Sequence, residues 1–380
     1  MTKEFFKEHK EPPGKEALRH KVKEFTAPGR KIGEYAEAIE RIFEKFGYNT
    51  KFYQGKLLEF INRQSISNAL RDSTILLEQG EIDSIGKEIS KAIQTGRELN
   101  SSILYDYFSQ IQERALAYQE HKANKEGRLA TGFYPLDEKI QGGLGAGETG
   151  VIIGLPKHGK TTTLVNMAVN ALLGGKKVLY ITLELKKQIM ASKFDMRLVG
   201  KSLEDIKKKP KTFFNEIKRL QQKITGNLTI IEYPTKLMTL IQLQSEIDHN
   251  NPQVVFVDYA SLIRSTLRSD EKRHITSDIH EGLRRIAGEC NVPIWTAHQA
   301  NRPGFDKKVL GMEHTSEDIN VPAICDICCS INQTPDERRR GYARLFIMGN
   351  RLGSSEDIIP MKVDWGTSHM NVAMDDDNLE

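Results

Sequence analysis

Apolar side chains recur every three or four residues from Lys31 onward: Ile32, Tyr35, Ile39, Ile42, Phe43 and Phe46, stopping at Gly47. That spacing predicts a helix with one apolar stripe. A second run takes in Leu57, Leu58, Phe60, Ile61, Ile66, Leu70, Leu76 and Leu77 and stops at Gly80. A third, Ile82, Ile85, Ile89 and Ile93, stops near Gly96. Stripes of this kind need one another for burial, so residues 31–100 are expected to form a small all-helical domain. Residues 1–30 are charged and hold Pro12, Pro13, Gly14, Pro28 and Gly29, the pattern of a flexible arm. Ser101 and Ser102 can cap a further helix carrying Ile103, Leu104, Tyr107, Phe108 and Ile111. It fades into the polar stretch 120–127, giving a linker helix and joint over 101–127. The linker's apolar face packs either within its own chain or on a neighbouring subunit.

The period changes at about residue 128. Short β-branched runs now alternate with helical segments: 151–153, 178–181, 229–231, 254–257 and 293–295. Alternation of this kind predicts an α/β domain with a mostly parallel sheet. Two later strands are expected at Ile324–Ile331 and Arg344–Met348, the second paired antiparallel. The domain is bounded at 128–370, with an acidic tail over 371–380.

Composition alters this picture little. Hydrophobic content of 38% and charged content of 28% are ordinary for a globular protein. A net charge of +4 is too small for binding by overall charge, so any nucleic-acid contact needs local basic patches. No apolar stretch has membrane-spanning length and the N-terminus lacks an apolar secretion core, which places the protein in the cytoplasm. The four cysteines are Cys290, Cys325, Cys328 and Cys329. Cys325 and Cys328 have C-x-x-C spacing, but no second pair completes a zinc set. Their run reads as a buried strand in which cysteine acts as a small hydrophobe.

The strongest chemical signal is Gly154-Leu155-Pro156-Lys157-His158-Gly159-Lys160-Thr161. It fits G-x-x-x-x-G-K-[ST], follows an apolar strand and precedes a helical run that opens at Thr162. Glycine lets the backbone wrap phosphates, and the helix N-terminus presents N–H groups to anionic oxygens. Lys160 would neutralise the β- and γ-phosphates, and the Thr161 hydroxyl would meet Mg²⁺. About a hundred residues on, Val254-Val255-Phe256-Val257-Asp258 ends an apolar strand in a carboxylate suited to holding Mg²⁺ through water. Glu184 ends the strand that begins at Val178. It could polarise an attacking water, or could simply be a surface residue opening the next helix.

Together these segments resemble the hexameric replicative DNA helicases of the DnaB type, particularly those of T-even phages. The resemblance runs from about Thr131 to Gly353. It starts with Thr131-Gly132-Phe133-Tyr134-Pro135-Leu136-Asp137, Gly142-Gly143-Leu144 and Gly147-Glu148. It implies a RecA-like P-loop ATPase core, preceded by the small all-helical domain and linker helix. It implies that Glu184 is the catalytic base, that Gln299 in Trp295-Thr296-Ala297-His298-Gln299 senses the γ-phosphate, and that Arg351 in Phe346–Gly353 is an arginine finger for the neighbouring subunit. His298 stands where the family usually has a small residue, and no role is assigned to it. Gly349 stands where the family commonly has a second cation, Lys. Residues 57–97 resemble only the closing hairpin of the family's N-terminal domain, which bears on any collar that recruits primase.

What the resemblance implies for the whole is an ATP- and Mg²⁺-dependent 5′ to 3′ helicase, a homo-hexameric ring around single-stranded DNA, with a primase or loader as further partner. Channel loops would carry Arg264, Arg268, Lys272 and Arg273, then Arg302, Lys307 and Lys308, with Phe305 the one aromatic among them. Such cations suit sequence-tolerant contact with a single strand. Arg338-Arg339-Arg340 reads instead as decoration of a hairpin turn. Two other classes share the motifs: a RecA- or RadA-like strand-pairing filament, and a non-translocating loader or switch ATPase.

Overall fold

A computed structural model of the chain describes residues 50–81, short stretches between 84 and 116, then 127–265, 271–300, 320–351 and 353–373. The chain divides into two compact units, residues 1–113 and 114–380. In the first, the second apolar run lies within one 29-residue helix, α1 (Thr50–Glu78). Gly80 ends it in the left-handed region (φ 77), with Glu81 N–H on Leu76 O and Gly80 N–H on Leu77 O. That pairing satisfies carbonyls the last turn would leave open, and glycine takes the conformation without a Cβ penalty. Ala69 and Ser73 are buried, whereas Ile66, Leu70, Ile75 and Leu77 are exposed. The expected arm (1–30) and first helix lie outside the described residues, as does most of the 101–127 linker.

The second unit is built on one nine-stranded sheet in the order β3-β2-β4-β5-β1-β6-β7-β8-β9. After a short helix, α2 (Tyr134–Lys139), come β1 (Thr149–Gly154), α3 (Lys160–Leu173), β2 (Lys177–Thr182) and α4 (Lys187–Val199). Next are α5 (Leu203–Lys208), α6 (Pro210–Lys223), β3 (Asn227–Glu232), α7 (Leu240–Asn250) and β4 (Val254–Asp258). The chain continues through α8 (Lys272–Cys290), β5 (Ile294–Gln299), α9 (Asn320–Ile324), β6 (Ile327–Asn332) and α10 (Pro335–Arg340). It closes with β7 (Tyr342–Asn350), β8 (Ile358–Asp364) and β9 (His369–Val372). β3 through β6 of that order run parallel, and β7, β8 and β9 add antiparallel. The last strand reaches Val372, two residues into the expected tail.

The strands are near-continuous apolar runs because both faces of the sheet are covered. Val178, Tyr180, Val254 and Phe256 pack with α3 and α4, while Leu179, Ile181, Val255 and Val257 pack with α7 and α8. Successive side chains point to opposite faces, so each strand contributes to both cores. From β1 the chain passes through α3 and over two strand positions to reach β2. That leaves the carboxyl ends of β1, β5, β4 and β2 side by side at a switch in strand order, where α/β sheets bind ligands.

Two local expectations change. β6 begins at Ile327 rather than Ile324, because Asp326 turns away from the apolar run: its carboxylate accepts from Thr149 N–H (2.9 Å) and pairs with Arg284 (2.9 Å). Arg338, Arg339 and Arg340 close α10 instead of decorating a tight turn. Cys325, Cys328 and Cys329 are buried, and burial pushes the Cys329 thiol up. Among the described residues no group of three or more His, Cys, Asp or Glu is placed to hold a metal.

Candidate nucleotide site

β1 is buried along its whole length and delivers Gly154 to the carboxyl edge of the sheet. A Cβ on Gly154 would come within 2.8 Å of Ile331 Cγ2, so the loop can start there only with glycine. The loop then folds around two positive-φ residues, Lys157 (64) and Gly159 (98), before α3 starts. Lys160 Nζ donates to Gly154 O (2.9 Å) and Leu155 O (3.0 Å). The lysine is only 9% exposed; burial lowers its pKa to about 8, against the fields of Asp258 and Glu184, which raise it. Thr163 Oγ1 donates to Gly159 O (3.0 Å), fastening the loop to the first turn.

Asp258 ends β4 fully buried. Its two oxygens accept from Thr161 Oγ1 (3.3 Å) and Tyr180 OH (3.1 Å). Burial pushes its pKa up to about 6, although both hydroxyls and Lys160 favour the charged form. Leu183 N–H donates to Asp258 O (2.9 Å), which clamps the end of β2 to the end of β4. Glu184 follows directly, exposed at that edge, and its charge acts on Lys160, Asp258 and Tyr259. It does not open α4: that helix starts at Lys187, whose N–H is taken by Glu232 (2.9 Å). Gln299 sits opposite Gly154 in the β1–β5 register, and Ala300 N–H donates to Gly154 O (3.1 Å). Lys160, Thr161, Glu184, Asp258 and Gln299 therefore share one edge of the sheet.

Arg351 does not join them. It follows β7, which runs antiparallel, and its N–H donates to Asp326 O (3.0 Å) at the amino end of β6. Its guanidinium donates to Ala323 O and lies 4.0 Å from Asp326 Oδ1, 48% exposed. Asp326 N–H in turn bonds Thr149 O, at the start of β1. From Thr149 to Gly154 is five residue steps, about 17 Å at roughly 3.3 Å per residue. Gly349 lies at a register shift opposite Cys328, a bulge that redirects the chain just before Arg351.

Of the expected DNA-contacting cations, Arg264 is exposed beyond β4 and Arg273 is ion-paired with Glu271 (2.5 Å). Lys272 begins α8. Arg268, Arg302, Lys307 and Lys308, with Phe305, lie outside the described residues.

Four residues at the site gave no motif in the sequence. Tyr180 reads as strand core, yet its hydroxyl holds Asp258. Arg338 donates to Lys157 O (2.9 Å) and lies 5.5 Å from the centre of the Trp365 ring. Trp365, in the turn between β8 and β9, covers the loop so closely that a Cβ on Gly159 would come within 3.0 Å of it. Asn166 fixes that turn to α3 by donating to Ser368 O (2.8 Å) and accepting from Met370 N–H (3.0 Å). Tyr180 and Asp258 are 78 residues apart, and Arg338 and Asn166 reach partners 181 to 204 residues away, so no local pattern signals these contacts.

A P-loop at the switch point of a largely parallel sheet, with a buried acid on an adjacent strand set, defines a RecA-like P-loop domain. Residues 128–309 match the family model described as DnaB-like helicase C terminal domain. The DnaB-like replicative helicase of Enterobacteria phage T4 is 25% identical over 250 residues, covering 62% of this chain and 52% of that protein. The "Probable replicative DNA helicase" of Trieres chinensis is 30% identical over 279 residues, covering 70% of this chain and 55% of that one. The chain thus spans about half the length of these relatives. In fold it is similar to the solved structure of a DnaB-like replicative helicase and its interactions with primase: TM-score 0.61, 16% identity, 91% of this chain and 80% of that one. The resemblance to DnaB-type helicases and the RecA-like core it implied are both borne out, the family match running over 128–309. No helix among the described residues is long and apolar enough to cross a membrane.

Proposed function

We propose that the chain is an ATP-dependent replicative DNA helicase that encircles single-stranded DNA and hydrolyses ATP between subunits. One observation carries the intersubunit part: Arg351 stands at the opposite edge of the sheet from Lys160 and Glu184, exposed, out of reach of its own P-loop. A cation so placed is remote from its own P-loop and half exposed, so it is available to another copy's nucleotide. The likeness to DnaB-like helicases supports the DNA-unwinding part, as does the exposed Arg264; the same resemblance implies 5′ to 3′ polarity.

Within one subunit, Lys160 would exchange its loop carbonyls for phosphate oxygens, and backbone N–H groups from Gly159 to Thr162 would cradle the same charge. Glu184 would take up the proton of the attacking water, and Gln299, beside Gly154, would register the γ-phosphate. The site suits Mg²⁺: a buried carboxylate and a hydroxyl 3.3 Å apart are hard oxygen donors, and this ion needs few protein ligands. Thr161 and Asp258 would hold it, and it would supply charge neutralisation on the phosphates. A primase or loader is the proposed further partner, by analogy with the structural neighbour whose interactions with primase are described.

The test is strand displacement on a forked duplex, run with Glu184→Gln, Arg351→Ala and a mixture of the two. Each variant alone should lose DNA-stimulated ATPase, and the mixture should regain part of it, because a mixed ring contains interfaces with both groups intact. No unwinding by the unaltered protein despite robust DNA-stimulated ATPase would sink the helicase reading. An inactive mixture would sink the shared site.

A further inference from the structure

His298 has no part in the chemistry above, yet it is a buried imidazole immediately before Gln299, 4% exposed. Along β5, Trp295 and Ala297 pack with α3 and α4, whereas Ile294 packs with α7 and α8. Alternation therefore puts Thr296 and His298 on the α8 face. Both reach the segment that follows Asp258. Thr296 Oγ1 donates to Val257 O (2.8 Å) and accepts from Ala260 N–H (3.0 Å). His298 Nδ1 lies 3.2 Å from Ser261 Oγ. On its other side His298 meets α8: the His280 ring is 5.5 Å away at 65°, edge to face. His280 is 3% exposed, and its Nε2 is among the buried atoms without a hydrogen-bond partner. Burial and the neighbouring His298 lower His280 to about 3, so the His280 ring packs uncharged. Ser265 Oγ donates to Asp278 Oδ2 (2.6 Å), which ties the same segment to α8 once more.

One imidazole thus touches the stretch that leads to Arg264 and the helix that Lys272 opens, and it is covalently next to the residue opposite Gly154. A small side chain at 298 could make neither contact. We propose that His298 is a positioning residue that transmits the state of Gln299 to the 259–265 segment, and so to Arg264, through Ser261 and His280. A shift of Gln299 along β5 moves the imidazole, and the packed rings allow no slack in which the motion is absorbed. The inference rests on the helicase reading, since it presupposes a nucleotide beside Gln299 and DNA beside Arg264.

The experiment is steady-state ATPase with and without single-stranded DNA for the full-length protein, His298→Ala, Ser261→Ala, the double variant and His298→Asn. The stimulation ratio should fall at least about fivefold in each single alanine variant, the lower end of ordinary coupling between sites. The double variant should be no worse than His298→Ala alone, because that change already removes the link to Ser261. His298→Asn keeps a group near the Nδ1 position and should recover part of the ratio. Multiplying defects in the double variant would overturn the proposal. So would His298→Ala rates reduced by one factor with and without DNA, the mark of a merely structural role. If His298→Ala does not fold, Ser261→Ala decides: a reduced ratio supports the link and an unchanged ratio refutes it. Absence of stimulation in the unaltered protein is a separate outcome, which removes the helicase reading and the proposal with it.

Discussion

Asp258 pays for its position with its charge. Folding raises its pKa from an ordinary carboxylate value to about 6, so the folded chain holds this proton more tightly than the unfolded chain does. The residue's contribution to stability is therefore complete below about 3.9 and is lost as pH rises through 6. At neutral pH the buried anion is a liability on the order of 1–3 kcal/mol in the nucleotide-free protein. Asp258→Asn should accordingly raise the melting temperature at pH 7.5, with the gain shrinking toward pH 5; a thermal scan across pH would read this directly. The same variant should weaken Mg²⁺-dependent nucleotide binding by about 10- to 100-fold. Equal melting temperatures at both pH values would contradict the burial argument. Asp258 itself was legible, since an apolar run ending in an acid after a P-loop has few other uses. Its two hydroxyl partners were only half so. Thr161 belongs to the loop motif, but Tyr180 is one apolar strand residue among many, and nothing in its neighbours distinguishes it.

At the scale of elements, the strands were legible because both faces of the sheet are covered, which leaves β-branched runs too short and too apolar for surface helices. The boundary at β6 was not. Asp326 sits inside an apolar run, and only its bonds to Thr149 and Arg284, both far away in sequence, explain why the strand starts after it. The covering of the P-loop was invisible for the same reason: Arg338 and Trp365 come from the antiparallel end of the sheet. This cover has a spectroscopic signature. The chain has two tryptophans, and the other, Trp295, is fully buried in β5. ATP should therefore change the emission of Trp365, and Trp365→Phe should abolish the change; a signal that persists would place the reporter elsewhere. Arg338→Ala should weaken ATP binding by about two- to fivefold, the value of a cation–π contact of roughly 0.5–1 kcal/mol.

At the scale of the molecule, the mild net charge would leave the proposed DNA binding to local cations, so affinity should fall steeply with salt. If Arg264 contacts a phosphate, Arg264→Ala should reduce the slope of log affinity against log salt by about 0.7, the value per contact for a single strand. An unchanged slope would remove Arg264 from the interface.

Arg351 and Glu184 stand at opposite poles of one sheet. A lone subunit would then be able to hold ATP but would lack the means to cleave it quickly. If Arg351 serves a neighbour as proposed, assembly would be the licence for turnover: specific activity should drop as the protein is diluted below its association threshold, while nucleotide affinity per subunit stays nearly constant. On that reading, newly made copies would idle, loaded and harmless, until they assembled.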